Sequence, residues 1–211
     1  MGVPVERIGI WSRGVEHDVF SPARRDLAWR RTLGYSNDDI VLLFFGRLVR
    51  EKGIATFVRA IAELRRRGLA VRPLIVGDGP ARAEMEAQVG EAVFLGHLDG
   101  ADLGRAVASA DILLNPSLTE AFGNVNLEAM AAGVCVVSAN VGSASAIISN
   151  GQDGYLIGSD PNAFADAIQK LAADSVTRRR IGRNATATAQ SYQWSEVLDD
   201  VVRTYRDLVA R

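Results

Sequence analysis

Short apolar runs, each ending at a glycine or a polar turn, alternate along this chain with segments of helical periodicity. The run Ile40–Phe45 is apolar at every position and ends at Gly46, and four later runs repeat the pattern. Runs of this length without apolar–polar alternation are typical of parallel strands that are covered on both faces. The predicted strands are Ile40–Phe45, Val71–Val76, Val93–Leu95, Ile112–Leu114 and Val134–Val137.

Helical periodicity marks the segments between these runs. Ile54, Phe57 and Ile61 recur at helical spacing. Asp160-Pro161 predicts a helix start, because aspartate caps N-termini and proline fits the first turn. The predicted helices are 54–64, 102–109, 123–132, one that starts at 160–161, and a last one over 194–208. This alternation predicts an α/β fold, a Rossmann-like doubly wound parallel sheet, and no linker or repeat divides it.

Composition excludes several classes of protein. A net charge of −1 over 211 residues argues against a chain that neutralises nucleic-acid phosphates. The single cysteine, Cys135, cannot form an internal disulfide, and no apolar run approaches the roughly 20 residues of a membrane-spanning helix. The first residues lack the order of a signal peptide. We therefore expect a cytoplasmic protein, or a full-length protein that associates peripherally with the cytoplasmic face of a membrane.

The turns after the predicted strands are the places to look for function, since doubly wound sheets bind ligands at the carboxyl ends of their strands. No segment matches the P-loop, because Lys52 precedes Gly53 instead of following a glycine. A dinucleotide loop is poorly matched too, since Arg82 stands where the third glycine of Gly77-Asp78-Gly79-Pro80-Ala81-Arg82 would be.

Two cations follow the first strand on a single turn. Arg47 offers a planar fork and Lys52 a point charge, a pair suited to the oxygens of a diphosphate. The alternative is two solvated loop charges.

A short helix predicted near Gly123 would aim its free backbone N–H groups, from Gly123 to Val125, at an anion. Glu128 would lie inside that helix, where it could accept hydrogen bonds from a sugar diol, and Glu120 precedes the helix. The alternatives are an ordinary surface residue for Glu128 and a carboxylate stabilised by the helix dipole for Glu120.

In this order and context, the residues resemble the C-terminal, donor-binding half of group 1 (family 4) retaining glycosyltransferases of the GT-B fold. The motifs that carry the resemblance are Gly46-Arg47 with Lys52-Gly53, Gly77-Asp78-Gly79-Pro80, Phe94-Leu95-Gly96, Ala110-Asp111-Ile112 with Pro116-Ser117, and Glu120-Ala121-Phe122-Gly123 with Glu128-Ala129-Met130-Ala131 and Gly133. Arg13-Gly14-Val15 and Phe20-Ser21-Pro22 are similar to the family's hinge, so the resemblance covers about residues 7–205.

The resemblance implies a role for each matching position. Glu120, Arg47 and Lys52 would be catalytic: the two cations would hold the diphosphate of a UDP- or GDP-sugar, and Glu120 would face the donor sugar. Gly46 and Glu128 would bind the donor, with Glu128 on the ribose. His97 and Leu98 would lie against the base, and the backbone amides of Phe122, Gly123, Asn124 and Val125 would touch sugar and phosphate. No metal and no cofactor are expected.

The family also implies an organisation for the chain. Residues 1–22 would be a hinge, 23–193 the nucleotide-sugar-binding domain, and 194–211 a helix that crosses to an N-terminal domain outside this sequence, which would bind the acceptor. Such a half would transfer little sugar alone. A non-catalytic nucleotide-binding module and half of a sugar-nucleotide epimerase are the alternatives. The hinge is similar to that of GDP-mannose-using mannosyltransferases, although UDP-sugars fit equally well.

Two segments depart from the family pattern. Cys135 stands where the family usually has proline, and its strand context predicts a buried, inert thiol. The family's later Gly-Gly and glutamate appear here as Gly142-Ser143 and Ala146, which weakens any expectation of sugar contacts from this loop.

The expected mechanism is stabilisation of the negative charge on the leaving group. Breaking the sugar–phosphate bond places negative charge on the departing diphosphate, where Arg47, Lys52 and the helix N-terminus would be fixed. No covalent nucleophile is expected. The interpretation requires the turn of Arg47 and the helix at Gly123 to share one crevice.

Overall fold

The computed structural model of the chain describes residues 12–209. Within this range the strands are β1 Ile40–Phe45, β2 Val71–Val76, β3 Val93–Phe94, β4 Ile112–Asn115, β5 Cys135–Ala139 and β6 Tyr155–Ile157. All six are parallel and form one sheet in the order β3-β2-β1-β4-β5-β6. The predicted Rossmann-like α/β fold is confirmed. The strand order reverses between β1 and β4, and ligand crevices of doubly wound sheets open at such a point.

Helices cover both faces of the sheet. They are α1 Leu27–Thr32, α2 Ile54–Arg66, α3 Arg82–Val89, α4 Gly100–Ala108, α5 Asn124–Ala131, α6 Gly142–Ser145, α7 Pro161–Ala173, α8 Ser175–Ala189 and α9 Trp194–Val209, with short 3-10 helices at Pro22–Arg24 and Arg50–Lys52. The predicted start of α7 is confirmed, since the Asp160 side chain accepts from the Asn162 N–H at 3.0 Å and Pro161 opens the helix.

Strand β1 shows why an unbroken apolar run predicts a central strand. Val41 and Leu43 pack into the core layer on one face of the sheet, and Leu42 and Phe44 pack into the layer on the other. Since successive side chains of a strand point to opposite faces, burial on both sides leaves no position for a polar residue.

Several elements carry no signal that the sequence analysis used: α1, α3, α6, α8 and β6. Helix α8 is the longest of them. Its buried face consists of Ile181 and the small residues Gly182, Ala185 and Ala189. A Cβ atom on Gly182 would lie 2.3 Å from the carbonyl oxygen of Gly133, so this helix packs directly against backbone. Close packing through small residues leaves no stripe of large apolar side chains to detect.

The first residues of the described chain lie against the start of α9. The Val15 N–H donates to the carbonyl of Tyr192 at 3.0 Å, and a Cβ atom on Gly14 would lie 2.6 Å from Trp194. Residues 1–11 of the predicted hinge, residues 210–211 of the predicted last helix and the side chain of Leu208 lie outside what is described. In residues 12–209, no helix combines the length and apolarity that crossing a bilayer requires.

Candidate functional site

Backbone hydrogen bonds join the turns after β1, β2 and β3 at the carboxyl edge of the sheet. The Gly46 N–H donates to the Val76 carbonyl at 3.0 Å, and the Gly77 N–H donates to the Gly96 carbonyl at 2.6 Å. Gly77 has φ +133°, and a Cβ atom there would lie 1.9 Å from the Gly46 oxygen. Only glycine allows the turns to approach this closely.

A cavity of about 440 Å³ opens at this edge, where β1 and β4 diverge; we call it the switch-point cavity. The predicted site residues that line it are Gly46, Arg47, His97, Leu98, Asn124, Val125 and Glu128. The turn of Arg47 and the first turn of α5 therefore share one crevice, as the interpretation required. The roles assigned to these residues stay predictions.

The walls of the switch-point cavity differ in character. The lining includes the apolar residues Phe45, Val76, Leu98 and Leu103, against which the flat face of a base could pack. The Arg47 guanidinium is exposed and has no carboxylate within 4.0 Å among residues 12–209, so it is available to an anion.

Lys52 and Glu120 do not line the switch-point cavity and instead contact each other. The Lys52 Nζ donates to Glu120 Oε1 at 2.8 Å, and their side chains are 20% and 9% exposed. The Thr119 hydroxyl also donates to the Glu51 carbonyl at 3.2 Å. These contacts join the turn before α2 to the loop before α5. From the sequence, Lys52 was predicted to hold the diphosphate and Glu120 to face the donor sugar. Their pairing with each other was not predicted.

Gly53 makes this junction possible. It precedes α2 with φ +77°, and a Cβ atom there would lie 2.5 Å from the Pro116 carbonyl oxygen. The N-terminus of α2 is thereby held against the turn that follows β4.

Helix α5 begins where the sequence predicted. Gly123 precedes it with φ +86°, and the helix runs over Asn124–Ala131. Within the described chain, the N–H groups of Asn124 and Val125 donate to no protein acceptor. Unpaired N–H groups at a helix N-terminus attract anions. Phe122 and Gly123 lie beside this opening without lining the cavity.

A buried chain of polar side chains fixes the direction of α5. The Asn115 Nδ2 donates to Asn126 Oδ1 at 2.9 Å, and the Asn126 Nδ2 donates to the Ser138 hydroxyl at 2.9 Å. All three residues are buried, and they join β4, α5 and β5. These three residues were not predicted from the sequence. The available signal was an asparagine ending an apolar strand, with a second asparagine one turn into the next helix.

Glu128 is the titratable group that the fold perturbs most clearly at this site. Burial raises the pKa of its carboxyl from 4.5 to about 7. Near neutral pH it can therefore donate as well as accept a hydrogen bond. Arg47, Asp78 and His97 also line the switch-point cavity that Glu128 faces.

The two departures from the family pattern behave differently. Cys135 is buried in β5, and burial raises the pKa of its thiol to about 12, which agrees with the predicted inert thiol. The Ser143 hydroxyl oxygen is buried without a hydrogen-bond partner among residues 12–209. The Ser143 carbonyl oxygen lies 4.0 Å from where a Cβ atom on Gly123 would be, so this loop lies against the start of α5.

In the part of the chain that the structure describes, no three histidine, cysteine, aspartate or glutamate side chains gather as a metal site.

Comparison with known proteins gives the site a context. Residues 39–174 match the family described as glycosyl transferases group 1. The chain is 34% identical to D-inositol 3-phosphate glycosyltransferase of Stackebrandtia nassauensis, over 98% of this chain and 50% of that protein. The chain spans about half the length of the relatives that it matches.

Solved structures with the same fold include proteins of this kind. HepE of Anabaena in complex with UDP and glucose superposes with a TM-score of 0.81 at 26% identity, covering 92% of this chain and 55% of that one. The C-terminal domain of a group 1 glycosyl transferase, LpcC of Francisella tularensis, superposes with a TM-score of 0.74 at 25% identity. This match covers 86% of the present chain and 100% of that domain.

Proposed function

This chain belongs to the glycosyl transferases group 1 family, and on that premise we propose that it is the donor-binding half of a retaining glycosyltransferase that uses a UDP- or GDP-sugar. The switch-point cavity carries the proposal, because the free guanidinium of Arg47, the N-terminus of α5 and the half-buried carboxyl of Glu128 line it together. The HepE complex with UDP and glucose supports a nucleotide-sugar ligand. Transfer of a hexose, with mannose as one option, is part of the proposal.

Three groups would bind the diphosphate. Arg47 contacts it with its guanidinium, and the N–H groups of Asn124 and Val125 meet it from α5. Lys52 reaches it by exchanging the carboxylate of Glu120 for a phosphate oxygen. A unit pair 4 Å apart attracts by about 4 kcal/mol at an effective dielectric constant of 20. Arg47, which has no carboxylate partner in the described chain, gains this attraction, whereas Lys52 gives up its pair with Glu120 as it binds the phosphate. This exchange also frees Glu120 to face the donor sugar.

The transfer step requires no covalent intermediate on the protein. The bond between the anomeric carbon and the diphosphate oxygen breaks, and its electron pair leaves on the diphosphate. The acceptor hydroxyl oxygen bonds to the same carbon on the same face, and its proton moves to the departing diphosphate. Arg47, Lys52 and the α5 N-terminus stabilise the charge that grows on the leaving group.

The donor nucleoside would occupy the rest of the switch-point cavity. Its base packs against Leu98 and the neighbouring apolar wall, with His97 beside it. Its ribose hydroxyls bond to Glu128. Neither a metal nor a cofactor enters this scheme.

The acceptor would bind to a second domain outside this chain. Helix α9 supports such a partner, because Leu198, Val202 and Tyr205 are 51%, 44% and 67% exposed on it. We assign residues 1–22 to a hinge, 23–193 to the donor domain and 194–211 to the crossing helix. The contact between Gly14 and Trp194 supports this division, since it brings the hinge and the last helix together. We place the full-length protein in the cytoplasm; the alternative is peripheral association with the cytoplasmic face of a membrane.

A non-catalytic nucleotide-binding module is the second candidate. Ser143 and Ala146 favour it, since they replace the family's glycine and glutamate in the loop after β5. Activity of the full-length protein separates the two: donor consumption that requires an acceptor supports the transferase, and binding without turnover supports the module.

Calorimetric titration of this chain with UDP and GDP tests the site. Arg47→Ala should weaken binding by about tenfold to a hundredfold, since a hydrogen bond to a charged group contributes roughly 1.5–3 kcal/mol. Arg50→Ala is the matched control, because Arg50 lies on the same turn, pairs with Glu84 at 3.1 Å and is outside the switch-point cavity. Equal affinities of Arg47→Ala and the wild type would remove the diphosphate assignment.

A further inference from the structure

A second cavity, of about 450 Å³, lies at the opposite edge of the sheet, near the amino ends of β1, β4 and β5. We call it the arginine groove. It is lined by Arg25, which follows the first 3-10 helix, by Arg178, Arg179 and Arg183 of α8, and by the carboxylate of Asp111. Strand β1 separates it from the switch-point cavity by roughly 15–20 Å, at about 3.3 Å per residue.

The one carboxylate of the groove is already occupied. Asp111 accepts from Arg25 at 2.7 Å and from the buried guanidinium of Arg30 at 2.9 Å. It also accepts from the Val41 N–H at 2.9 Å. With two guanidinium groups and a backbone donor on one carboxylate, Asp111 does not neutralise the arginines of α8.

The α8 arginines that line the groove form no salt bridge in residues 12–209. Asp174, which caps α8, is the one carboxyl in this range that senses them: its pKa is lowered by its hydrogen bonds to Thr177 and also by the charge of Arg178. No carboxylate lies within 4.0 Å of Arg178, Arg179 or Arg183, and one nitrogen of Arg178 donates to the Leu171 carbonyl at 2.6 Å. Elsewhere on the surface Arg82 pairs with a carboxylate at 2.8 Å, as several other arginines do.

Concavity, and not residue type, distinguishes the groove. Of the 24 basic residues of this chain 22 are arginine, so arginine itself is no signal. Gly182 and Gly133 bring α8 against the turn before β5, since a Cβ atom on Gly182 would lie 2.3 Å from the Gly133 oxygen. The tight contact sets a row of guanidinium groups along the wall of a recess.

We propose that the arginine groove binds a soluble small molecule that carries two or more phosphate groups. Guanidinium forks bind phosphate oxygens in pairs. Arg179 and Arg183 are four residues apart and so neighbours on the helix surface, close enough for adjacent phosphates of one ligand. The cavity has the volume of a small-molecule site. A recess favours a small ligand over a flat membrane surface, which meets protruding residues first.

Titration with inorganic tripolyphosphate tests the proposal. Wild-type protein should bind it, and Arg179→Ala/Arg183→Ala should bind at least about tenfold more weakly at this site, since two charged contacts are lost. Arg180→Ala is the matched control: Arg180 is an exposed arginine of the same helix that does not line the groove. It should bind within about twofold of the wild type, because screened surface charges contribute little.

Circular dichroism should show that the double variant folds, because the side chains of Arg179 and Arg183 are exposed. Every protein compared, the reference included, carries Arg47→Ala, so that the switch-point cavity does not compete for the probe. Equal tripolyphosphate affinity with and without Arg179→Ala/Arg183→Ala then overturns the proposal, as does an equal loss when Arg180→Ala is added instead. So does binding only to vesicles of phosphatidic acid. Arg47→Ala should keep the groove's binding, so this result is independent of whether the switch-point cavity takes a nucleotide.

Discussion

Replacing Glu128 by glutamine should stabilise this protein, and by an amount that depends on pH. Burial raises the pKa of Glu128 to about 7 in the folded protein, against 4.5 for the ordinary carboxyl. Between these two pH values the folded state keeps a proton that the unfolded chain has lost. Stability therefore falls as the pH rises through this window, and the full cost is present above pH 7.

The size of the effect follows from the two pKa values. One pKa unit corresponds to about 1.4 kcal/mol, so ionised Glu128 costs the folded protein about 3 kcal/mol. About 1 kcal/mol of this is present at pH 5 and nearly all of it at pH 8. Glutamine has the shape of glutamate and no charge. The difference in unfolding free energy between Glu128→Gln and the wild type should therefore grow by about 2 kcal/mol from pH 5 to pH 8.

Urea denaturation of both proteins at several pH values measures this difference. Glu91→Gln is the control, because it makes the same change at a carboxylate that is 90% exposed and, in the described chain, pairs only with Arg72, at 3.6 Å. A difference that stays constant with pH, or that favours the wild type at pH 8, would show that Glu128 ionises at its ordinary pKa. A stabilised variant that also binds UDP more weakly would mean that the carboxyl is kept for its ligand.

Three further predictions concern the residues that hold the elements of the site together. Lys52→Ala should lower the unfolding free energy by about 2 kcal/mol, because it leaves the nearly buried Glu120 carboxylate without its cation; denaturation should show partial recovery when Glu120→Gln is added. Asn126→Ala should cost about 2–3 kcal/mol, since two buried hydrogen-bond partners lose their amide, and calorimetry should show weaker nucleotide binding. Gly77→Ala should prevent folding, whereas Gly34→Ala, with φ +81° but open space around the added methyl group, should cost about 1 kcal/mol by thermal melting.

Local patterns were sufficient for much of the architecture. The apolar run Ile40–Phe45 and the Asp160-Pro161 start of α7 lie where the sequence placed them. Each depends on neighbours along the chain: burial on both faces of one strand, or a cap within one turn. Helix α8 was not predicted, because its buried face consists mostly of small residues. These residues pack against a turn about 50 positions earlier in the chain.

The candidate site likewise has a part that the sequence predicted and a part that it did not. Sequence motifs brought Arg47, the start of α5 and Glu128 forward as one group, and the structure places them around one cavity. The pairing of Lys52 with Glu120 was missed, because it joins residues 68 positions apart across two loops. Nothing in either loop alone indicates that the other is within 3 Å.

By itself, the sequence determined five of the six strands in the described chain, the turns that follow them and the residue types that those turns present, because each of these depends on short-range periodicity and capping. Tertiary structure alone decided the strand order that opens a crevice between β1 and β4, the buried contacts of Asn126, and the recess that collects the arginines of α8. It also gave Glu128 its raised pKa. Desolvation and pairing of charges depend on what surrounds a group in space, and the chain acquires those surroundings only when it folds.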